Sequence, residues 1–288
     1  MNRRAATLTG FVAVLLWALL ALFTVGSAPV PPFQLSAMSF ALGGGIGLVW
    51  LGMTGGFASL ARVAPRVYVF GTAGLFGYHA LYFSALRIAP AAEAGLIAYL
   101  WPLLIVLLSG LLPGERLRGG HVAGAVVAFA GAALIVANGA GGFAAANLPG
   151  YGLALLGAIT WATYSVGSRW LGAVPTGSVA VFCLATAALS GLTHLAVETT
   201  VWPSSPIGWA AIFGLGLGPV GLAFFVWDIG VKRGDIQLLG VASYAAPVLS
   251  TLVLIAAGVA APSWTLLISA GLITAGAALA ARTSARVV

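Results

Sequence analysis

Gly95-Leu96-Ile97-Ala98-Tyr99-Leu100-Trp101-Pro102 is answered, 145 residues later, by Gly240-Val241-Ala242-Ser243-Tyr244-Ala245-Ala246-Pro247, with Gly, Tyr and Pro in the same register. Neither stretch holds a charge, and each sits inside a long apolar run. At the same offset Arg87 falls on Lys232, and Ala130-Gly131-Ala132-Ala133-Leu134 falls on Ala275-Gly276-Ala277-Ala278-Leu279. A shift of 144 places Trp17 on Trp161, so the beginnings of the two halves correspond as well. The chain is read as a repeat: a first half over 1–138, an external linker over 139–149, and a second half over 150–288.

Composition says what surrounds these halves. Of 288 residues, 61% are hydrophobic and only 6% charged, where a soluble domain carries roughly a quarter charged residues. Mean hydropathy is +1.10. Disorder, a coiled coil and a nucleic-acid surface are excluded, because the charges never gather into a basic face. The single Cys183 lies in an apolar stretch and permits neither an intrachain disulfide nor a cysteine metal cluster. No cofactor motif is present.

A hydrocarbon core about 30 Å thick needs roughly 20 apolar helical residues. Runs of that length stand near 5–25, 33–54, 67–86, 91–112 and 119–138, then near 150–168, 177–197, 207–231, 236–257 and 263–281. Helices are required, since backbone polar groups in lipid must find partners within the protein. The fold class expected is an all-α integral membrane protein with ten transmembrane helices. The first run, preceded by Arg3 and Arg4, is too long for the apolar core of a secretory leader, about 7–15 residues, and it has a counterpart in the second half.

With both termini in the cytoplasm, eleven of the twelve Lys and Arg face inward: Arg3, Arg4, Arg62, Arg66, Arg116, Arg118, Arg169, Lys232, Arg233, Arg282 and Arg286. Only Arg87 falls outside. Because each half has five spans, an odd number, the second half enters the membrane inverted relative to the first, a plan common in secondary transporters. The plan puts a solute site near mid-membrane, between the halves.

This five-plus-five organisation, the Tyr-x-x-Pro pattern of the fourth and ninth spans, and Pro113-Gly114-Glu115 closing the fourth resemble the drug/metabolite transporter superfamily with paired EamA-type repeats. Gly258 to Pro262 carries no counterpart of Glu115. Within the superfamily the mid-membrane aromatic residues look like those of its aromatic amino acid exporters. The resemblance implies a transporter rather than an enzyme, an amino acid as cargo, with the aromatic ones (Trp, Phe, Tyr) first, and residence in the bacterial inner membrane. With both repeats in one chain, a monomer is expected to suffice.

Trp and Tyr in membrane helices normally mark the interfaces, as do Trp50, Tyr68, Tyr151, Trp170, Trp202, Trp209 and Trp264 at span ends. Trp17, Tyr78, Tyr99, Trp101, Trp161 and Tyr244 instead lie near span centres, where an unpaired indole N–H or phenol O–H would be costly against lipid. They must face protein or a cavity. Tyr78 and Tyr82, with His79 beside them, share one face at i, i+4 spacing. Trp161, Tyr164, Ser165 and Ser168 form a second polar-aromatic face, and Phe224 and Trp227 are neighbours on the eighth span. Such rings suit a flat, partly apolar solute with polar ends, held by stacking and cation–π contact. Aromatic amino acids meet that description.

Pro102 and Pro247 stand mid-span, where proline removes a helical bond and crowds the carbonyl four residues earlier. The expectation is a kinked helix at each, with the Ala98 and Ser243 carbonyls and the Ser243 hydroxyl free for the solute and the kinks acting as hinges. Charges that could couple transport are few. Glu93 lies in the first turn of the fourth span, favoured there by the helix dipole, and Asp228 stands four residues before Lys232, spaced for an ion pair. Neither is at mid-depth, so facilitated export is expected over proton antiport, the alternative being a carrier of another small metabolite or drug, with or without proton coupling. Nucleotide-linked cargo would call for cationic groups at mid-depth, and none is there. No HExxH, GxxxxGK or Gly-x-Ser-x-Gly motif occurs.

Overall fold

A computed structural model describes residues 1–137, 142–171 and 173–285. Residues 139–141 of the expected linker, and Arg286, lie outside the described residues. Regular structure among the described residues is entirely helical. The first part of the chain comprises α1 (Arg3–Trp17), α2 (Leu20–Gly26), α3 (Pro32–Thr54), the single turn α4 (Phe57–Leu60), α5 (Pro65–Ile88), α6 (Ala91–Ala98), α7 (Trp101–Ser109) and α8 (Gly119–Val136). After a 3₁₀ turn at Ala145–Asn147 come α9 (Leu148–Trp170), α10 (Ser178–Val197), α11 (Pro206–Leu217), α12 (Ala223–Arg233), α13 (Ile236–Ala242), α14 (Ala245–Ala256) and α15 (Trp264–Ala285).

Eight helical stretches are long and apolar enough to cross a membrane, counting α1–α2, α6–α7, α11–α12 and α13–α14 each as one. The helices α5 and α9 are as long, with 24 and 23 residues, and carry the tyrosine- and serine-bearing faces described above. Prolines open α3, α5, α7, α9 and α11, where the missing N–H is no loss and the fixed φ already suits a helix. Asn2, Ser205 and Asp235 cap α1, α11 and α13 through their side-chain oxygens.

The structure corrects the expected proline kinks. The helix is interrupted after Ala98, at Tyr99 and Leu100, and Pro102 occupies the first turn of a new segment, α7. In the second half the interruption falls at Ser243 and Tyr244, with Pro247 in the first turn of α14. Ending one helix and starting another avoids the clash that a continuous helix would suffer. The Ser243 carbonyl is not spare, because it accepts from the Ala246 N–H at 3.1 Å. A third interruption is a π-helical turn over Gly218–Leu222, containing Pro219, between α11 and α12.

Helices pair across the chain: α1 with α12, α3 with α10, α5 with α9, α7 with α13 and α8 with α15. Small residues set the distance. A Cβ built on Gly10 of α1 would lie 2.8 Å from the Cα of Gly230 on α12, and one on Gly124 of α8 would lie 2.6 Å from the carbonyl oxygen of Gly276 on α15. Gly10→Ala is therefore expected to lower thermal stability by about 1–3 kcal/mol, since backbone rather than a flexible side chain opposes the added methyl. Gly45→Ala, with nothing within 4 Å, is the control. Thermal unfolding followed by tryptophan fluorescence checks both; equal melting temperatures would show that the α1–α12 contact is not close.

Candidate functional site

Where the interrupted helices meet at mid-length, they enclose a cavity of about 160 Å³. Its walls are Trp17 and Leu20 from the first interrupted pair, Tyr78, His79 and Tyr82 from α5, and Ala98, Tyr99 and Trp101 around the α6–α7 break. Trp161 of α9, Pro219 and Val220 of the π turn, Phe224 of α12 and Ala246 of α14 complete it. No Asp, Glu, Lys or Arg is among these residues. The wall is aromatic rings broken by tyrosine hydroxyls and one imidazole.

Four tryptophans, each from a different helical stretch, pack together: Trp17, Trp101 and Trp161 make the floor, and Trp227 lies beneath them. Ring centroids of Trp17 lie 5.9, 5.9 and 5.1 Å from those of Trp101, Trp161 and Trp227. Trp101 is 6.2 Å from Trp161 and 6.0 Å from Trp227, and Trp161 is 6.4 Å from Trp227, so every pair is in contact. Edge-to-face geometry dominates, as the ring quadrupole favours. Two of the indole N–H groups are anchored: Trp17 Nε1 donates to the Pro219 carbonyl at 3.1 Å, and Trp227 Nε1 to Ser165 Oγ at 3.1 Å. Behind the wall Phe40 stacks on Phe224 with centroids 5.4 Å apart and meets His79 edge-on at 5.0 Å.

His79 is held in one tautomer. Its Nδ1 lies 2.7 Å from the Leu75 carbonyl, which can only accept, so Nδ1 carries the proton. In the neutral ring Nε2 is then an acceptor, and no described protein group takes it. Tyr78 and Tyr82 stack at 6.0 Å with rings 5° apart, as their i, i+4 spacing requires. The site can therefore clasp a flat solute between rings and offer it one imidazole acceptor and phenol groups.

Eight residues singled out from the sequence meet here: Trp17, Tyr78, His79, Tyr82, Tyr99, Trp101, Trp161 and Phe224. Five do not line the cavity. Tyr164, Ser165 and Trp227 are buried below the floor, with Tyr164 against Trp161 at 5.3 Å. Ser243 is fully buried and its hydroxyl donates to Leu239 O of its own helix at 2.8 Å. Tyr244 packs on Phe129 at 5.9 Å, and its oxygen accepts from the Leu103 N–H, a donor left unpaired by the break before α7. Tyr99 and Tyr244, equivalent in the repeat, thus have different surroundings: one faces the cavity and the other caps a helix.

Glu93 is buried in the first turn of α6, away from the cavity wall. Asp228 pairs with Lys232 at 2.8 Å and accepts from Thr176 Oγ1 at 2.8 Å, one residue beyond Trp227. The sequence reading missed the π turn, for which Gly218-Pro219 inside an apolar run was the available signal. It also missed a cluster at the end of the bundle where α1 begins. There Glu115 accepts from Arg3 at 3.2 Å and from Arg169, Arg3 lies 3.7 Å from Asp235, and Arg169 donates to the carbonyls of Val231 at 3.1 Å and Gly234 at 2.7 Å. At the opposite end Arg87 binds Glu198 at 2.6 Å, and Glu198 also accepts from the Phe33 and Gln34 N–H groups at 3.1 Å.

The model of the EamA-like transporter family matches the chain twice, over residues 4–137 and 148–282. The chain belongs to that family. Among its relatives is "Aromatic amino acid exporter YddG" of Ancylobacter novellus, 56% identical over 283 residues that cover 97% of this chain and 98% of the relative. The protein of the same name from Salmonella typhimurium is 30% identical over 87% of this chain and 88% of its own. A protein of known crystal structure, 55% identical, superimposes with a TM-score of 0.93 over 97% of this chain and 98% of its own. As an EamA-like transporter with many apolar helices, the chain is a multi-pass protein of the bacterial inner membrane, and a carrier rather than an enzyme.

Proposed function

We propose that this EamA-like transporter exports aromatic amino acids, above all Trp, Phe and Tyr, through the aromatic cavity by alternating access. The observation that carries the reading is the uncharged wall of rings around one imidazole and three phenols. It suits a zwitterion of zero net charge with a flat side chain, and it offers no countercharge for a phosphate or an organic cation. The printed names of the relatives point to the same cargo. Trp17, Tyr78, His79, Tyr82, Tyr99, Trp101, Trp161 and Phe224 form the binding wall in this reading, with the His79 Nε2 acceptor meeting the ammonium or the indole N–H.

Ten spans in two inverted halves, 1–138 and 150–288, with both termini cytoplasmic, form the scaffold we propose. Its support is the pairing of helices, in which exchanging the two sets of five leaves every pair a pair. A second support is reciprocal: Gly131 of α8 approaches the Ser269 carbonyl of α15, while their counterparts at the same offset, Gly276 and Gly124, make the mirror contact. The interruptions before Pro102 and Pro247 are the hinges. The buried tryptophan floor and the Arg3–Glu115–Arg169 cluster beneath it support a state closed toward the cytoplasm. With no carboxylate at the cavity, transport runs down the solute gradient, and one chain is sufficient.

Uptake of labelled Trp, Phe and Thr into liposomes carrying the purified protein tests this, with and without a pH gradient. Saturable Trp and Phe flux indifferent to the gradient, and weakened by His79→Ala, is the expected result. Flux of no amino acid would overturn the cargo, and flux that needs the gradient would move the reading to coupled transport through Glu93 or Asp228.

A further inference from the structure

A second cavity of about 730 Å³ lies at the end of the bundle where α1 begins, well away from the aromatic site. Arg3, Arg4, Arg116 and Arg118 line it against two carboxylates, Glu115 and Asp235. The carboxylates are already engaged: Glu115 holds Arg3 and Arg169, and Asp235 caps α13 by accepting from Leu238 at 2.9 Å. Among the described residues, no acidic group pairs with Arg4, Arg116 or Arg118. The cavity thus carries three guanidinium groups with unused donors, and Gln237, buried in its wall, leaves Nε2 without a partner. A guanidinium fork matches phosphate oxygens bidentately, and several forks around one cavity suit an anion with more than two oxygens to share among them.

We propose that this cavity binds a phosphate-bearing anion, clasped by Arg4, Arg116 and Arg118. Two sources supply that chemistry, a free phosphate and the headgroup of an anionic lipid. The wall favours the headgroup: Leu8, 69% exposed, lines the same cavity and continues onto the apolar outer surface of α1, so an acyl chain has a place to lie once its phosphate is held. Basic pockets at helix ends bind anionic lipids on this basis in other membrane proteins. The bound phosphate would sit beside the Arg3–Glu115–Asp235 contacts and hold together the α1 start, the α7–α8 loop and the α13 start.

The test is thermal unfolding of the full-length protein in an uncharged detergent, with dioctanoyl phosphatidylglycerol, dioctanoyl phosphatidylcholine or inorganic phosphate added. Phosphatidylglycerol at a few times its dissociation constant is expected to raise the melting temperature by about 2–4 °C. The Arg4→Gln/Arg116→Gln/Arg118→Gln variant is expected to lose the shift, with phosphatidylcholine inert in both proteins. Inorganic phosphate producing the same shift, also lost in the variant, would assign the site to free anion. No shift in the native protein, an equal shift with phosphatidylcholine, or a shift that survives the substitutions would overturn the proposal. Should the triple variant not fold, Arg116→Gln and Arg118→Gln singly are each expected to reduce the shift. Since the readout is stability, its outcome is independent of which solute is transported.

Discussion

Saturable tryptophan flux through proteoliposomes carrying Trp101→Ala is expected to fall by about tenfold or more, with phenylalanine flux falling alongside. Trp101 is both wall and floor: it faces the cavity and touches Trp17, Trp161 and Trp227, all within 6.2 Å. One aromatic contact to the solute is worth about 0.5–1.5 kcal/mol, and 1.4 kcal/mol is about a factor of ten. Removing the indole also takes an edge from three neighbouring rings, leaving the floor free to repack and the remaining wall out of register. Trp101→Phe, which keeps a ring, is expected to lose less than Trp101→Ala, whereas Trp202→Ala, at a half-exposed ring outside the cavity, leaves flux unchanged. Native flux in Trp101→Ala would remove the aromatic cavity from the transport path.

The largest stability effect is expected for Glu115→Gln. Glu115 has a side chain only 5% exposed and joins Arg3 of α1 to Arg169 of α9. Arg3 is 49% exposed, so water screens its share. Arg169 is 18% exposed, and without Glu115 it retains only the Val231 and Gly234 carbonyls, which carry no full charge. Breaking a buried pair by neutralising one partner costs about 3–5 kcal/mol, and the partial exposure here points to the lower end. A melting temperature lower by roughly 6 °C or more is expected, with reduced tryptophan flux, because the contacts that tie the start of α1 to the end of α9 have been lost. A variant melting within about a degree of the native protein would show that the cluster is a solvated surface feature.

Several features are legible in the amino-acid sequence because the membrane makes them local. A run such as 33–54 reads directly as the helix Pro32–Thr54, since each residue is judged by lipid compatibility alone. Trp17, Trp101 and Trp161 are marked by depth, for a ring with an N–H at mid-span needs a protein environment. Tyr164 and Trp227 meet similar criteria yet lie beneath the floor, because depth and helix face do not say on which side of a plug a ring falls. Ser243 passes for a ligand since its bond to Leu239 O depends on a side-chain rotation that no spacing reveals. Glu115 is visible only as part of a motif, and its two arginines, 112 and 54 residues away, come together only through the packing of α1 and α9 against α12.

By itself the amino-acid sequence determined an all-helical membrane protein, the offset between its repeats and the set of rings that lipid would not accept. Those are properties of single residues and of regular spacing, and the bilayer acts on each residue almost independently of the others. Only the tertiary structure decided that the helices are interrupted before Pro102 and Pro247, that eight of the thirteen candidate residues share one cavity, and that Tyr244 caps Leu103 while Tyr99 faces the cavity. These outcomes depend on which helices touch and at what distance, and contacts such as Gly10 against Gly230 set that distance between residues far apart in the chain.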